Sequence, residues 1–89
     1  MQMPNQIVIS KHAVEQMELR SISEAIVLSV IADPENIIAQ DGLKIYQKIL
    51  LIESKSYLFR IFVNDLINPH LVVTVYRTSK ISKYYEGEI

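Results

Sequence analysis

The chain has 89 residues, 49% of them hydrophobic and 21% charged, with no cysteine and a formal net charge of −1. That composition suits one folded domain rather than a disordered segment. It excludes a disulfide framework and thiolate chemistry, and no apolar run reaches the roughly 18 residues of a membrane span.

Residues 1–6 carry neither the basic nor the apolar part of a secretion signal, so a cytoplasmic protein is expected. Ile7-Val8-Ile9 reads as a short strand. Ser10 is placed to cap a first helix running through Arg20, with Ala13, Val14 and Met17 at helical spacing on one side. His12, Gln16, Leu19 and Arg20 gather on an adjoining face. Ser23 caps a second helix over 24–32, which stops at Asp33-Pro34 because proline disfavours helix in its predecessor. This second helix is apolar nearly all round, so it should be buried on several sides, by the sheet or by a partner such as a second copy.

Antiparallel strands follow. Residues 37–40 lead into Asp41-Gly42, a hairpin signal because both residues tolerate positive φ. Residues 43–53 form a long strand of ambiguous register, since both alternating sets contain apolar side chains. Ser54-Lys55-Ser56 reads as a turn and 57–64 as a strand with Tyr57, Phe59, Ile61 and Val63 toward the core. Leu58, Arg60 and Phe62 take its other face. A loop at 65–70 contains the turn dipeptide Asn68-Pro69, and 71–78 closes the sheet. Strict alternation puts Leu71, Val73 and Val75 on one face of that strand and Val72, Thr74, Tyr76 and Thr78 on the other. The expected fold is α+β: a short N-terminal strand and two helices packed on one face of a roughly four-stranded antiparallel sheet. One domain spans 1–89, with 79–89 a polar tail. The opposite sheet face is left to Tyr46, Lys48, Arg60, Thr74 and Tyr76.

The charge is unevenly placed. Residues 1–42 hold two bases against six acids, a net −4, and residues 43–89 hold seven bases against four acids, a net +3. Arg77, Lys80 and Lys83 lie together with Tyr84 and Tyr85, and basic groups beside aromatics suit phosphate contact plus base stacking. A solvated terminal tail has the same composition. Phosphate-loop, dinucleotide and nucleophile-elbow motifs are absent, and two isolated histidines give no metal-ligand spacing, so neither a cofactor nor a metal is expected. The remaining set of His12, Arg20, Arg60, Thr74, Tyr76, Arg77 and Lys80 suits cleavage of RNA through its own 2′-hydroxyl, which needs a base, an acid and cations around the phosphorane. Each residue also has a plainer role: His12 as a surface or capping residue, Arg20 at helix carbonyls, Arg60 paired with Glu53, Tyr76 in sheet packing.

The stretch Ser10-Lys11-His12-Ala13-Val14-Glu15-Gln16-Met17-Glu18-Leu19-Arg20-Ser21-Ile22-Ser23 resembles the opening of an uncharacterised bacterial domain-of-unknown-function family, patterned His-Ala-x-x-Arg-Met-x-x-Arg-Gly-Ile-[Ser/Thr]. Asp33-Pro34-Glu35, Tyr46 and Val73-Thr74-Val75-Tyr76 match the same family's later motifs, so the resemblance covers 9–84. That family is similar to the RelE/ParE-like toxins. Gln16 stands where the pattern has its first arginine, and Ser21 replaces its glycine.

The resemblance implies a toxin of a bacterial toxin–antitoxin pair: a metal-independent endoribonuclease acting on RNA or ribosome-bound message, neutralised by a small cognate antitoxin. In that scheme His12 moves a proton, Arg20 and Arg60 neutralise phosphate, and Tyr76 donates or orients. Tyr46, Thr74, Arg77, Lys80, Lys83 and Tyr84 hold the nucleic acid. The alternative is a non-catalytic protein- or RNA-binding module, a degenerate or ParE-like toxin, which the lost cation at Gln16 favours.

Overall fold

Two serines set the helical part of the chain. The structure, a computed structural model, describes residues 7–84, with the side chain of Tyr84 outside that description. Ser10 Oγ accepts from the Ala13 N–H at 3.0 Å and starts α1 (Lys11–Leu19). Ser23 Oγ accepts from the Ile26 N–H at 3.2 Å and starts α2 (Glu24–Ala32), which ends at Asp33 before Pro34. The short strand β1 (Ile7–Ile9) precedes both.

A meander follows: β2 (Asn36–Gln40), β3 (Leu43–Ile52), β4 (Lys55–Asn64) and β5 (His70–Thr78). Asp41 and Gly42 have φ of 54° and 80°, so the first hairpin is the expected two-residue turn with both central residues left-handed. The second turn is not where Ser54-Lys55-Ser56 pointed. Glu53 and Ser54 take positive φ (51° and 73°), and Lys55 and Ser56 are already strand, paired with Ile52 and Leu51. A two-residue loop lets both long strands pair to their ends, and that pairing outweighs the unfavourable φ of two non-glycine residues.

Among the described residues the sheet has five strands, in the order β1-β5-β4-β3-β2. The four-stranded antiparallel expectation is therefore corrected. β1 joins as an edge strand, parallel to β5, with Ile7, Val8 and Ile9 opposite His70, Leu71 and Val72. A parallel neighbour needs a long crossover, and here everything from α1 to β4 lies between the two strands. A further short helix, α3 (Ile81–Tyr84), lies within the stretch read as a polar tail; Tyr85 and the rest of 85–89 lie outside the described residues.

One apolar core joins both helices to one sheet face. Ala13, Met17, Ile22, Val27 and Val30 meet Phe59, Ile61, Val63, Val72 and Val75. The core face expected for 57–64 is the observed one. On α2, Ile26 and Ile31 pack against this core and Leu28 is left 39% exposed, so most of the all-round apolar surface is used within the chain.

Candidate functional site

β5 changes face part-way along its length. Val63 of β4 pairs with Val72, but Phe62 pairs with Thr74, so Val73 is an extra, bulged residue. Val72 and Val75 therefore both enter the core, while Thr74 and Tyr76 turn to the opposite face beside Phe62 and Arg60. Strict alternation placed Val73 with Val75 and Val72 with Thr74. The bulge corrects both. Its carbonyl is used: Val73 O accepts from Ser10 Oγ at 3.2 Å, and Val72 O accepts from the Ser10 N–H at 3.0 Å. The N-terminus of α1 is thereby fastened to β5.

At its other end α1 closes on Arg20, whose backbone N–H donates to the Gln16 carbonyl, and Ser21, whose N–H donates to the Glu18 carbonyl, reverses the chain with φ of 54°. This delivers the Arg20 guanidinium to 6.0 Å from the centre of the Tyr76 ring. Arg60 approaches the same ring at 5.5 Å, and its Nη1 donates to the Tyr76 hydroxyl. Phe62 stacks on Tyr76 with ring centres 6.1 Å apart, and the Arg60 guanidinium also lies 5.4 Å from the Phe62 ring. Two cations thus converge on one phenol that is itself held in an aromatic stack.

Behind them runs a polar row. Asn36 pairs with Gln47, Gln47 with Arg60, and Arg60 with Tyr76, one side chain per strand across β2, β3, β4 and β5. Gln47 Oε1 accepts from Arg60 Nε at 2.6 Å. Arg60 is 9% exposed and Gln47 fully buried, whereas Phe62, Thr74 and Tyr76 are half-buried and Arg20 is exposed. Neither Asn36 nor Gln47 stood out in the sequence. The available signal was Gln47 as the one polar residue of the alternating set Leu43, Ile45, Gln47, Ile49 and Leu51.

The remaining candidates are spread out. His12 is exposed in the first turn of α1, and among the described residues no hydrogen bond, ion pair or ring contact joins it to Tyr76. Tyr46 lies opposite Ile61 and packs against the helix-side core, so its expected place beside Thr74 is corrected: the register of β3 puts it on the other face. Lys48 shares that face and pairs with Asp33 at 3.0 Å. Arg77, adjacent to Tyr76, points the opposite way and stacks over Tyr57 at 4.6 Å. Lys80 and Lys83 are exposed beyond β5, the Lys80 N–H bonded to Thr78 Oγ1 and the Lys83 N–H to the Lys80 carbonyl. The expected role of the Tyr84 ring lies outside the described residues.

Residues 9–77, from the end of β1 to Arg77, match a protein family described as a domain of unknown function (DUF4258). The chain belongs to this family. The match takes in Arg20, Asn36, Gln47, Arg60, Phe62 and Tyr76 and stops short of α3. No curated protein and no solved structure shows significant similarity to the chain. No helix among the described residues is long and apolar enough to cross a membrane.

Proposed function

We propose that this DUF4258 chain is a RelE/ParE-like toxin-type protein that acts on RNA as a metal-independent endoribonuclease, held in check by a small antitoxin. The observation that supports this reading is the convergence of Arg20 and Arg60 on Tyr76. Guanidinium groups bind phosphate through paired N–H donors, and the Phe62–Tyr76 stack offers an aromatic surface for a base.

In this scheme the two arginines hold the phosphodiester and offset the charge gathered on the phosphorane. The adjacent 2′-oxygen attacks phosphorus, giving a 2′,3′-cyclic phosphate and a 5′-hydroxyl. The Tyr76 hydroxyl, which accepts from Arg60, is the proton donor to the leaving 5′-oxygen in this scheme. His12, exposed on the same helix that carries Arg20, is the base for the 2′-hydroxyl. Thr74 borders the stack opposite Phe62, and Lys80 and Lys83 guide the strand beyond it.

The separation of His12 from the Tyr76 cluster favours the second reading, a module that binds RNA or a protein partner without cleaving. One assay divides the two: purified chain incubated with single-stranded RNA in chelator, wild type beside Tyr76→Phe and His12→Ala. Nuclease action requires cleavage by the wild type and a drop of about 10²–10⁴-fold on losing a proton-transfer group. Intact RNA with wild type, together with growth unaffected by induced expression, overturns it.

A further inference from the structure

Gln47 has no part in the scheme above, yet its placement is the costliest on this face. It is fully buried, its Oε1 is taken by Arg60 Nε, and among the described residues its Nε2 finds no hydrogen-bond partner. Directly opposite on β2, the Asn36 Oδ1 is buried in the same condition. The neighbouring rows are apolar across β2 to β4, with Ile38, Ile45 and Phe62 on one side and Ile49 and Leu58 on the other, and each ends at a threonine of β5, Thr74 or Thr78. A leucine or methionine at position 47 would extend those rows and remove the orphaned Nε2, at the cost of leaving the buried Arg60 Nε–H without its acceptor, and buried polar groups without partners are rare because they are costly. Folding alone does not account for an amide here. Its bond to Arg60 does.

We propose that Gln47 is the positioning residue of this site. Resting on the RNA reading given above, it clamps the Nε side of the Arg60 guanidinium so that the Nη1 edge is delivered to Tyr76, the ring that Arg20 also approaches. A buried arginine has a long, many-rotamer side chain, and one short bond at Nε fixes the plane of the fork. The amide does this without adding a charge. A glutamate would fix the same edge while offsetting one of the two cations that meet the phosphate.

The test combines a spectroscopic signal of the free protein with RNA binding. ¹⁵N-labelled wild type, Gln47→Met and Gln47→Glu are compared by the exchange rate of the Arg60 Nε–H resonance, assigned by its loss in Arg60→Lys. Affinity for a labelled single-stranded oligouridine is then measured across a salt series. Wild type should show a slowly exchanging Nε–H. Gln47→Met should lose that protection and bind about tenfold more weakly, the scale of a lost charged hydrogen bond. Gln47→Glu should keep the protection while its plot of log affinity against log salt flattens by about 0.7, one phosphate contact's worth.

Protection that survives in Gln47→Met overturns the proposal, and so does lost protection with unchanged affinity, which would make Gln47 structural only. An undiminished salt slope in Gln47→Glu overturns the requirement for a neutral acceptor. Should Gln47→Met fail to fold, Gln47→Glu decides alone. If wild type binds no RNA, it is the RNA reading that fails, and the Arg60 signal by itself decides whether Gln47 positions that side chain.

Discussion

Both faces of this sheet contain fully buried side chains, but to different ends. On the helix side, Phe59, Ile61, Val63, Val72 and Val75 meet α1 and α2 in an uninterrupted apolar contact. On the other side, Ile45 and Leu58 are as fully buried as Phe59, yet the polar row of Asn36, Gln47, Arg60 and Tyr76 runs between their rows. Burial on the first face returns hydrophobic free energy with little to offset it. On the second, part of that gain is set against the desolvation of an amide and a guanidinium. Degree of burial therefore does not separate the part of the molecule that folds it from the part that carries its candidate chemistry. The satisfaction of polar atoms does.

Substitution at Phe59 should give the largest effect. Phe59→Ala empties the centre of the helix-side core and is expected to cost about 3–5 kcal/mol, a large share of the roughly 5–15 kcal/mol that a small domain has in total. A thermal or denaturant melt measures it, and a loss under 1 kcal/mol would mean that the helices do not depend on this face.

The polar row should behave in the opposite sense. Arg60→Met leaves the Gln47 carbonyl oxygen buried without its donor and should cost about 1–3 kcal/mol. Adding Gln47→Leu should recover most of that loss, because replacing both partners by apolar groups removes the penalty. Function should not recover with it. A double variant that melts like wild type yet has no hold on RNA would set the two faces apart most sharply; an additive further loss of stability would show that the row belongs to the folding core.

The two helix caps sharpen the comparison at a smaller scale. Ser10→Ala and Ser23→Ala should each cost about 1 kcal/mol. Only Ser10 is also fastened to the bulged Val73 and begins the helix that ends on Arg20. Ser10→Ala should therefore weaken RNA binding, and Ser23→Ala should leave it unchanged. Equal effects on binding would separate Arg20 from the site.

The smallest effect lies away from both faces. Lys44 Nζ donates to Asp65 Oδ2 at 3.0 Å, and this hydrogen bond raises the lysine and lowers the carboxyl from their ordinary values. The Asp65 contribution is present above the usual carboxylate range and is lost as pH falls through its lowered folded value. The Lys44 contribution is present below the usual lysine range and is lost as pH rises through its raised folded value. Asp65→Asn should thus lower the melting temperature only slightly on the plateau between these limits, and its melts should approach those of wild type at both extremes. A solvent-accessible pair supports no more than a small change.

Much of the chain's local structure was legible in its residues because the physics there is local. A serine at Ser10 or Ser23 caps whatever helix follows it, Pro34 ends the second helix, and Asp41-Gly42 turns the chain through positive φ without reference to distant neighbours. The alternation of Tyr57, Phe59, Ile61 and Val63 likewise chose its own face, since only one of its two sets is wholly apolar or aromatic. The sheet's non-local pairing was decided by the tertiary structure. β3 has apolar side chains on both sides, so the face of Tyr46 waited on its register against β4. The tie from Ser10 to the bulged Val73, the parallel seat of β1 and the meeting of Arg20 with Tyr76 each depend on a partner more than 50 residues away, and nothing in the alternation of β5 marks where it breaks. Arg60 and Tyr76 were visible as residues. That Gln47 stands behind them, in one row across four strands, is a property of register alone, and register is set by the packing of the whole sheet.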